Sequence, residues 1–475
     1  MPDSRRAFLV AAAAILTYQL IVPPVVGLAD NGDFAKVTGR FNLYAPVHRV
    51  YEWIDTVYQI RPDKHWVSDN YSSEILLLPP ALGLNAVVSK SGDFDLRCMG
   101  IVHGALFLIA LGLFTPLVES KPRWLRWSVY FLVLLVYCDM MYVGSLNSFY
   151  MDEAAYLFLL LSIVLYLRVV RWQRRRDALL LLACSFVLVT AKSQHVLLGL
   201  LLAVLFAAGA SRLPALRRRW WYLAAAGLTL AGLVMIRKAQ PTDYTSFAIY
   251  NVVFDRILPH ESDAGRTLRD LGLDDSYLPN IGTKAYMPHS AMDDPAFRSR
   301  FMQRLPLSRL AFFYLRRPAI LYRTLTAGLS DAGDQQSMGN FDIASGYPSM
   351  ARSRAFALWS ETKRALFFHH GGRFLAAFLI LVALLSALLV LERRVLPPTV
   401  LLAGAGLIAG ATMEMAIATL CDSMDAARHC MIFLLLFDTT LVVCACLIFH
   451  AIHNRNRGPR SNYAVNARSA LTTAP

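Results

Sequence analysis

Long apolar runs alternate with short polar breaks along this chain, and the runs have the length of membrane crossings. A hydrocarbon layer about 30 Å thick takes about 20 residues at 1.5 Å each. Ten runs meet or approach that length, near 7–28, 98–118, 128–146, 152–170, 178–191, 195–210, 222–238, 374–391, 398–418 and 429–450. An eleventh, "SSEILLLPPALGLNAVVSK" at 72–90, carries Pro79 and Pro80 together at its middle, where a helix tolerates them poorly.

Charge decides the eleventh run. Cationic clusters stand at 4–6, 119–127, 171–177, 211–221, 392–394 and 453–460, and cytoplasmic loops are where Lys and Arg accumulate. If all lie on one side, the number of crossings between neighbours must be even. A crossing at 72–90 would put three between Arg6 and Arg123. The expectation is therefore an all-α polytopic membrane protein with ten spans, both termini cytoplasmic, and 72–90 re-entrant or interfacial on the outer face.

The same pattern divides the chain. Residues 1–238 form an amino-terminal membrane module with a first outer loop at 29–97. Residues 239–373 form an extracytoplasmic segment, 374–450 the last membrane helices, and 451–475 a cytoplasmic tail. Two crossings must fit between the cationic clusters at 171–177 and 211–221, which leaves each about 16 residues, or roughly 24 Å. The turn "AKSQH" between them is expected to lie recessed, where polar backbone needs a protein- or water-lined cavity. Within the outer segment, 305–325 is amphipathic but centres on Arg316 and Arg317. Two charges at about 2.5 to 3.5 kcal/mol each oppose a crossing and favour a helix lying in the interface.

Composition agrees with this class: 56% hydrophobic and 17% charged residues, with a mean hydropathy of +0.43. The net charge of +14 would suit nucleic acid, but the arginines flank apolar runs and read as topology signals, so no nucleic-acid partner is expected. The first 29 residues mimic a secretory signal, yet their apolar run exceeds the usual signal core and reads as a retained helix. The seven cysteines show no metal-ligand spacing and read as packing residues, with Cys421 and Cys430 the one candidate disulfide.

Candidate chemistry concentrates on the outer side. In "GLADNGDFAKV", Asp30 and Asp33 could supply a general base or oxygen ligands for a divalent cation, or merely mark a polar turn. In "GSLNSFYMDEAAYLF", Asn147 or Ser148 would cap a helix whose first turn holds Asp152 and Glu153, and Asp139 lies in the preceding run. Lys192, Gln194 and His195 of the recessed turn suit an anion such as a phosphate, unless Lys192 simply snorkels. Near the last run, Glu414 precedes a turn with Asp422, Asp425, Arg428 and His429, which offer phosphate donors or a salt-bridged turn.

"NGDFAKV", "LNSFYMDEAAYL", "AKSQHVLL", "NVVFDRILPHESDAGRTLRDLGLDD" and "DAARHCMIF" together give the chain a local resemblance to the GT-C class of membrane glycosyltransferases, and more closely to bacterial hexose transferases of surface-glycan assembly. That resemblance implies a polyprenyl-phosphate sugar donor, a lipid-linked or cell-surface glycan acceptor, inversion at the anomeric carbon, and residence in the bacterial cytoplasmic membrane among its lipids. It also implies a first-loop acid as catalytic base, which by position is Asp33, with Asp30 the substitute. The class often has an adjacent acidic pair there, whereas this chain separates its acids by Asn-Gly.

On this reading Lys192, His195, Arg428 and His429 contact the donor phosphate, with Arg316 and Arg317 holding lipid phosphate or headgroups. Glu153 is a second acid, and Asn147 and Asp152 position the acceptor. Two other function classes fit the same pattern: a transporter or flippase of lipid-linked sugars, and a non-catalytic assembly protein of glycan export. A flippase fold often shows paired halves with interrupted helices, and no internal repeat is evident here.

Overall fold

Each of the ten apolar runs contains a helix. The protein is seen in a computed structural model that describes residues 4–47, 50–63, 70–89, 91–238, 244–334 and 338–455. In the amino-terminal half the helices are α1 (Ser4–Leu20), α2 (Ala35–Thr38), α3 (Leu78–Val88), α4 (Arg97–Val118), α5 (Arg123–Tyr137), α6 (Met140–Val143), α7 (Asp152–Trp172), α8 (Arg175–Val189), α9 (Val196–Gly209) and α10 (Arg218–Lys238). Then come α11 (Tyr244–Asn251), α12 (Ala264–Leu271), α13 (Pro295–Arg304), α14 (Leu307–Arg316), α15 (Pro318–Ala332) and α16 (Leu358–Phe367). The chain closes with α17 (Gly371–Leu391), α18 (Pro398–Leu420), α19 (Ala426–His429) and α20 (Met431–Arg455).

Six of these, α4, α7, α10, α17, α18 and α20, are long and apolar enough to cross a membrane singly, and α5 with α6 makes a seventh if that pair, bent by 54°, is one span. Helices α1, α8 and α9 have 17, 15 and 14 residues. The chain is a mostly helical, polytopic membrane protein. Helix α7 is its centre: 78% of its most apolar window is buried, against 22% to 33% for α4, α10, α17 and α18. It packs against α4, α8, α18 and α20, and α15 packs on α17 and α18.

Several expectations are corrected. The first run ends as a helix at Leu20 rather than residue 28, because Pro23 and Pro24 cannot continue it. The third breaks after Tyr137. Asp139, at this break, caps α6 through Oδ1, which accepts from Met141 N (3.0 Å), while its Oδ2 accepts from Trp359 N and Ser360 N of α16 at 3.0 Å each. The Pro79–Pro80 pair stands in the first turn of α3, where the missing N–H groups have no intrahelical partner to lose. At 11 residues α3 is too short to span. The 305–325 stretch is two helices, α14 and α15, parted at Arg317–Pro318. Cys421 and Cys430 are both free thiols.

The candidate spans are helical, but short strands join the loops between them. Strand β1 (Val26–Gly27) pairs antiparallel with β5 (Asn340–Phe341). Strands β2 (Leu43–Tyr44), β3 (Val57–Ile60) and β4 (Phe94–Asp95) form an antiparallel sheet of order β2-β3-β4 within the first loop. This sheet seats the loop on the membrane helices: Tyr58, Phe94 and Phe34 converge on Phe149, with ring centroids 5.0 to 5.9 Å apart. Aromatic contacts of this kind add to area burial, and Phe34 is the neighbour of Asp33.

Candidate functional site

The turn "ADNGDF" is built by its own side chains. Asp30 Oδ1 accepts from Gly32 N (2.7 Å) and Phe34 N (3.1 Å), and Asn31 Oδ1 accepts from Asp33 N at 3.0 Å. Gly32 sits at φ +99°, which a side chain rarely adopts. Asp30 is thereby occupied in shaping the turn, and Asp33 presents its carboxylate at the start of α2.

That carboxylate is held between two cations. Oδ1 pairs with Lys36 Nζ at 2.5 Å and Oδ2 with Arg428 at 2.9 Å. Burial pushes the Asp33 carboxyl up, but Arg428 and Lys36 outweigh it and hold it well below the usual carboxylate range. The sign follows: with its folded value depressed, Asp33 adds stability above about pH 4, and that stability is lost as pH falls through the folded value. Lys36 is pushed down by burial and held up by Asp33.

Arg428 joins the loop to the membrane helices. Its Nε lies 2.8 Å from Asp425 Oδ2, its Nη1 3.7 Å from Asp152 Oδ2, and its guanidinium carbon 4.1 Å above the Tyr150 ring. Asn31 Nδ2 donates to Asp425 Oδ2 at 3.0 Å. The Tyr150 hydroxyl donates to Ala29 O (2.7 Å) and accepts from Asn31 N (2.9 Å), fixing the first loop over the same arginine.

Below them the recessed turn completes the network. Lys192 is 3% exposed, with Nζ 2.8 Å from Asp152 Oδ1. It does not snorkel. His195 is fully buried, with Nδ1 3.0 Å from Glu414, and its Nε2 is 3.8 Å from Asp152, past hydrogen-bond reach. His429 Nδ1 lies 3.1 Å from Gln194 Oε1 and 3.4 Å from Lys192 Nζ. The turn joins the short helices α8 and α9, and from the 72–90 segment Ser72 donates to the Ala191 carbonyl of the turn (2.6 Å) and Ser73 to the Val187 carbonyl of α8 (2.7 Å).

Four separate chain segments thus bring Asp33, Lys36, Asp152, Lys192, His195, Glu414, Asp422, Asp425, Arg428 and His429 into one charged cluster at a single end of the spans. Its least buried side chains are those of Lys36, Asp33, Asp422 and Asp425, which are 16% to 21% exposed. Residues 4–466 match the family described as the YfdI N-terminal transmembrane domain. The chain belongs to that family. Neither the curated proteins nor the solved structures contain a match to it.

Not every expected residue of this YfdI-type domain is in the cluster. Asn147 is a buried pin: its Nδ2 donates to Leu20 O (2.9 Å) and Val26 O (2.8 Å). Gly27 and Gly100 make room for it, since a Cβ on Gly100 would stand 1.9 Å from Asn147 Oδ1. Glu153 points the other way along the helix, accepting from Ser145 at 2.8 Å, beside a buried Glu74–His103 pair. Both thus lie outside the cluster, although Asp152 beside them lies within it. Arg317 pairs with Asp270, and Arg316 stands beside it between α12 and α14; neither touches the cluster.

Among the described residues, no group of three or more His, Cys, Asp and Glu side chains is placed to hold a metal ion. The cluster's carboxylates face lysine, arginine and histidine instead, so the donor set does not fit a divalent cation. Sequence reasoning missed three contributors. Lys36 had a signal, its i,i+3 spacing from Asp33. Tyr150 had none beyond its neighbours. Tyr286, within electrostatic reach of both Asp422 and Asp33, comes from a distant segment.

Proposed function

We propose that this protein is an inverting membrane glycosyltransferase of GT-C type. It would move a hexose from a polyprenyl-phosphate donor to a lipid-linked or cell-surface glycan acceptor. The reaction would take place on the outer face of the bacterial cytoplasmic membrane, with the ten helical runs crossing and both termini inside. The observation that carries the reading is the ion pair between Asp33 of the first loop and Arg428 of the last turn, with Lys36 at its other oxygen.

A phosphate entering there offers Lys36 and Arg428 a second anion, and as they turn to it Asp33 is released from the charges that keep it a weak base. The acceptor hydroxyl then attacks the anomeric carbon and gives its proton to Asp33. The bond from that carbon to the phosphate oxygen breaks with its electron pair on the phosphate, which Arg428 and Lys36 stabilise. Lys192 and His195 are already neutralised by Asp152 and Glu414, so on this reading they set the field at the floor rather than grip the donor.

Transfer of radiolabelled sugar by the purified protein tests the donor class. Product is expected from polyprenyl-phosphate sugar; product from a nucleotide sugar alone would overturn the assignment.

One observation favours a second choice of base. Asp422 has no lysine or arginine paired with it among the described residues; Oδ1 accepts from Met424 N at 3.0 Å and Oδ2 stands 4.0 Å from His429 Nε2. Burial raises its carboxyl to about 6, against the backbone N–H groups of Met424 and Ser423 and the more distant Lys192 and Arg428. A base must be deprotonated to act, so activity through Asp422 falls as pH drops below about 6. Asp33 of the free protein stays ionised throughout that range. An acid limb near pH 6 in kcat/KM that disappears in Asp422→Asn would assign the base to Asp422; a limb that persists in that variant rules this choice out.

A further inference from the structure

A second basic site lies on the outer layer, away from the charged cluster. Helices α12 and α14 enclose an open cavity of about 580 Å³ lined by Arg269, Arg309, Arg316 and Arg317, with Asp270 its one acid. Arg317 pairs with Asp270 and Arg269 with Asp275 (2.8 Å). Arg316 has no hydrogen-bond or ion-pair partner among the described residues. Arg309 is held in place: its Nη1 donates to Arg304 O at 2.5 Å, and it crosses Gly272 so closely that a Cβ there would meet the guanidinium at 2.1 Å.

The depth of this site is fixed by one bond. Tyr314 Oη donates to Leu420 O, the last residue of α18, at 3.1 Å, which sets α14 level with the end of a membrane-crossing helix. On its inner face Leu310, Phe313 and Tyr314 are buried in the aromatic core of the outer layer. On its outer face Phe312 is 62% and Leu315 73% exposed, beside Arg309 and Arg316. Apolar side chains facing outward at the end of a span, interleaved with arginines, suit the boundary where acyl chains give way to phosphates.

We infer that the α12–α14 cavity binds the headgroup phosphate of an anionic phospholipid through Arg309 and Arg316, with Phe312 and Leu315 in the acyl boundary. The charge argues for this occupant: four arginines against one aspartate leave the lining net cationic, and a zwitterionic headgroup would bring its own cation to the same place. The site is independent of whether the protein transfers sugar.

The test uses the full-length protein extracted from mixed phosphatidylglycerol and phosphatidylcholine vesicles, with retained lipids counted by native mass spectrometry. Wild type is expected to retain phosphatidylglycerol preferentially. Arg309→Gln and Arg316→Gln should each reduce that preference about five-fold, and Arg300→Gln, an exposed arginine of the same layer outside the cavity, should not. Unchanged preference in the Arg309→Gln/Arg316→Gln double variant would overturn the inference, as would a wild type that retains both lipids alike. Both arginines lie on the exposed face of α14, and an unchanged thermal transition in each variant separates lost binding from lost fold.

Discussion

Asp33→Asn is expected to lower sugar transfer by about 10²- to 10⁴-fold, the usual contribution of a positioned acid–base group, while the protein still inserts and purifies as wild type does. The substitution keeps the shape of the turn, whose hydrogen bonds come from Asp30 and Asn31 rather than from the Asp33 carboxylate. It removes the charge that faces Lys36 and Arg428, so binding of donor phosphate should hold or tighten while turnover falls. Loss in kcat with KM unchanged or lower is therefore the expected split. Asp33→Glu should recover part of the rate. Full activity in Asp33→Asn, measured with the polyprenyl-phosphate donor, would leave the Asp33–Arg428 pair a structural clasp and transfer the question to Asp422.

Lys363→Met is expected to be among the most destabilising single substitutions, by about 3 to 5 kcal/mol, for a reason unrelated to catalysis. Lys363 of α16 is 1% exposed, and its Nζ lies 2.6 Å from Asp438 in the membrane helix α20. Tyr142 donates to the same oxygen at 2.7 Å, and the lysine has aromatic faces of Tyr142 and Trp359 within 6 Å. Removing the lysine leaves a buried carboxylate with one hydroxyl donor and no counter-charge. Removing both charges is far less costly, because the penalty lies in the unpaired ion. Thermal unfolding in detergent should show Lys363→Met well below wild type and Lys363→Met/Asp438→Asn recovering most of the difference. Equal losses in both variants would show that the cost is packing rather than charge.

The helices were far more legible in the sequence than either of these pairs. Each apolar run that became a helix could be read from hydropathy, because a crossing helix must satisfy its backbone internally and cover itself with apolar side chains over a fixed length. The shortness of the two runs beside "AKSQH" was legible from arithmetic on the same length, and Lys192 and His195 of that turn are buried within the protein. The turn chemistry of "ADNGDF" was visible as turn chemistry, but which acid it left exposed was not. Asp30 is taken up by the backbone N–H groups of Gly32 and Phe34, whereas Asp33 meets Lys36 and Arg428, and that division depends on φ at Gly32 and on a residue from the far end of the chain.

The partners of each charge were illegible for a more general reason. Asp33 meets Arg428 across 395 positions of chain and Lys363 meets Asp438 across 75, and sequence spacing constrains only neighbours on one helix or strand. Asn147 and Glu153 stood in the same short polar stretch as Asp152, and each was a candidate for the site. A helix places successive side chains about 100° apart, so Asp152 faces Lys192 while Glu153 faces Ser145.

By itself the sequence determined that this is a helical membrane protein with its polar chemistry concentrated in a few loops, because the solvent imposes those terms residue by residue. Only the tertiary structure decided which acids and bases meet and which polar side chains pin the backbone. Charges become a site through distances between segments that no local rule connects.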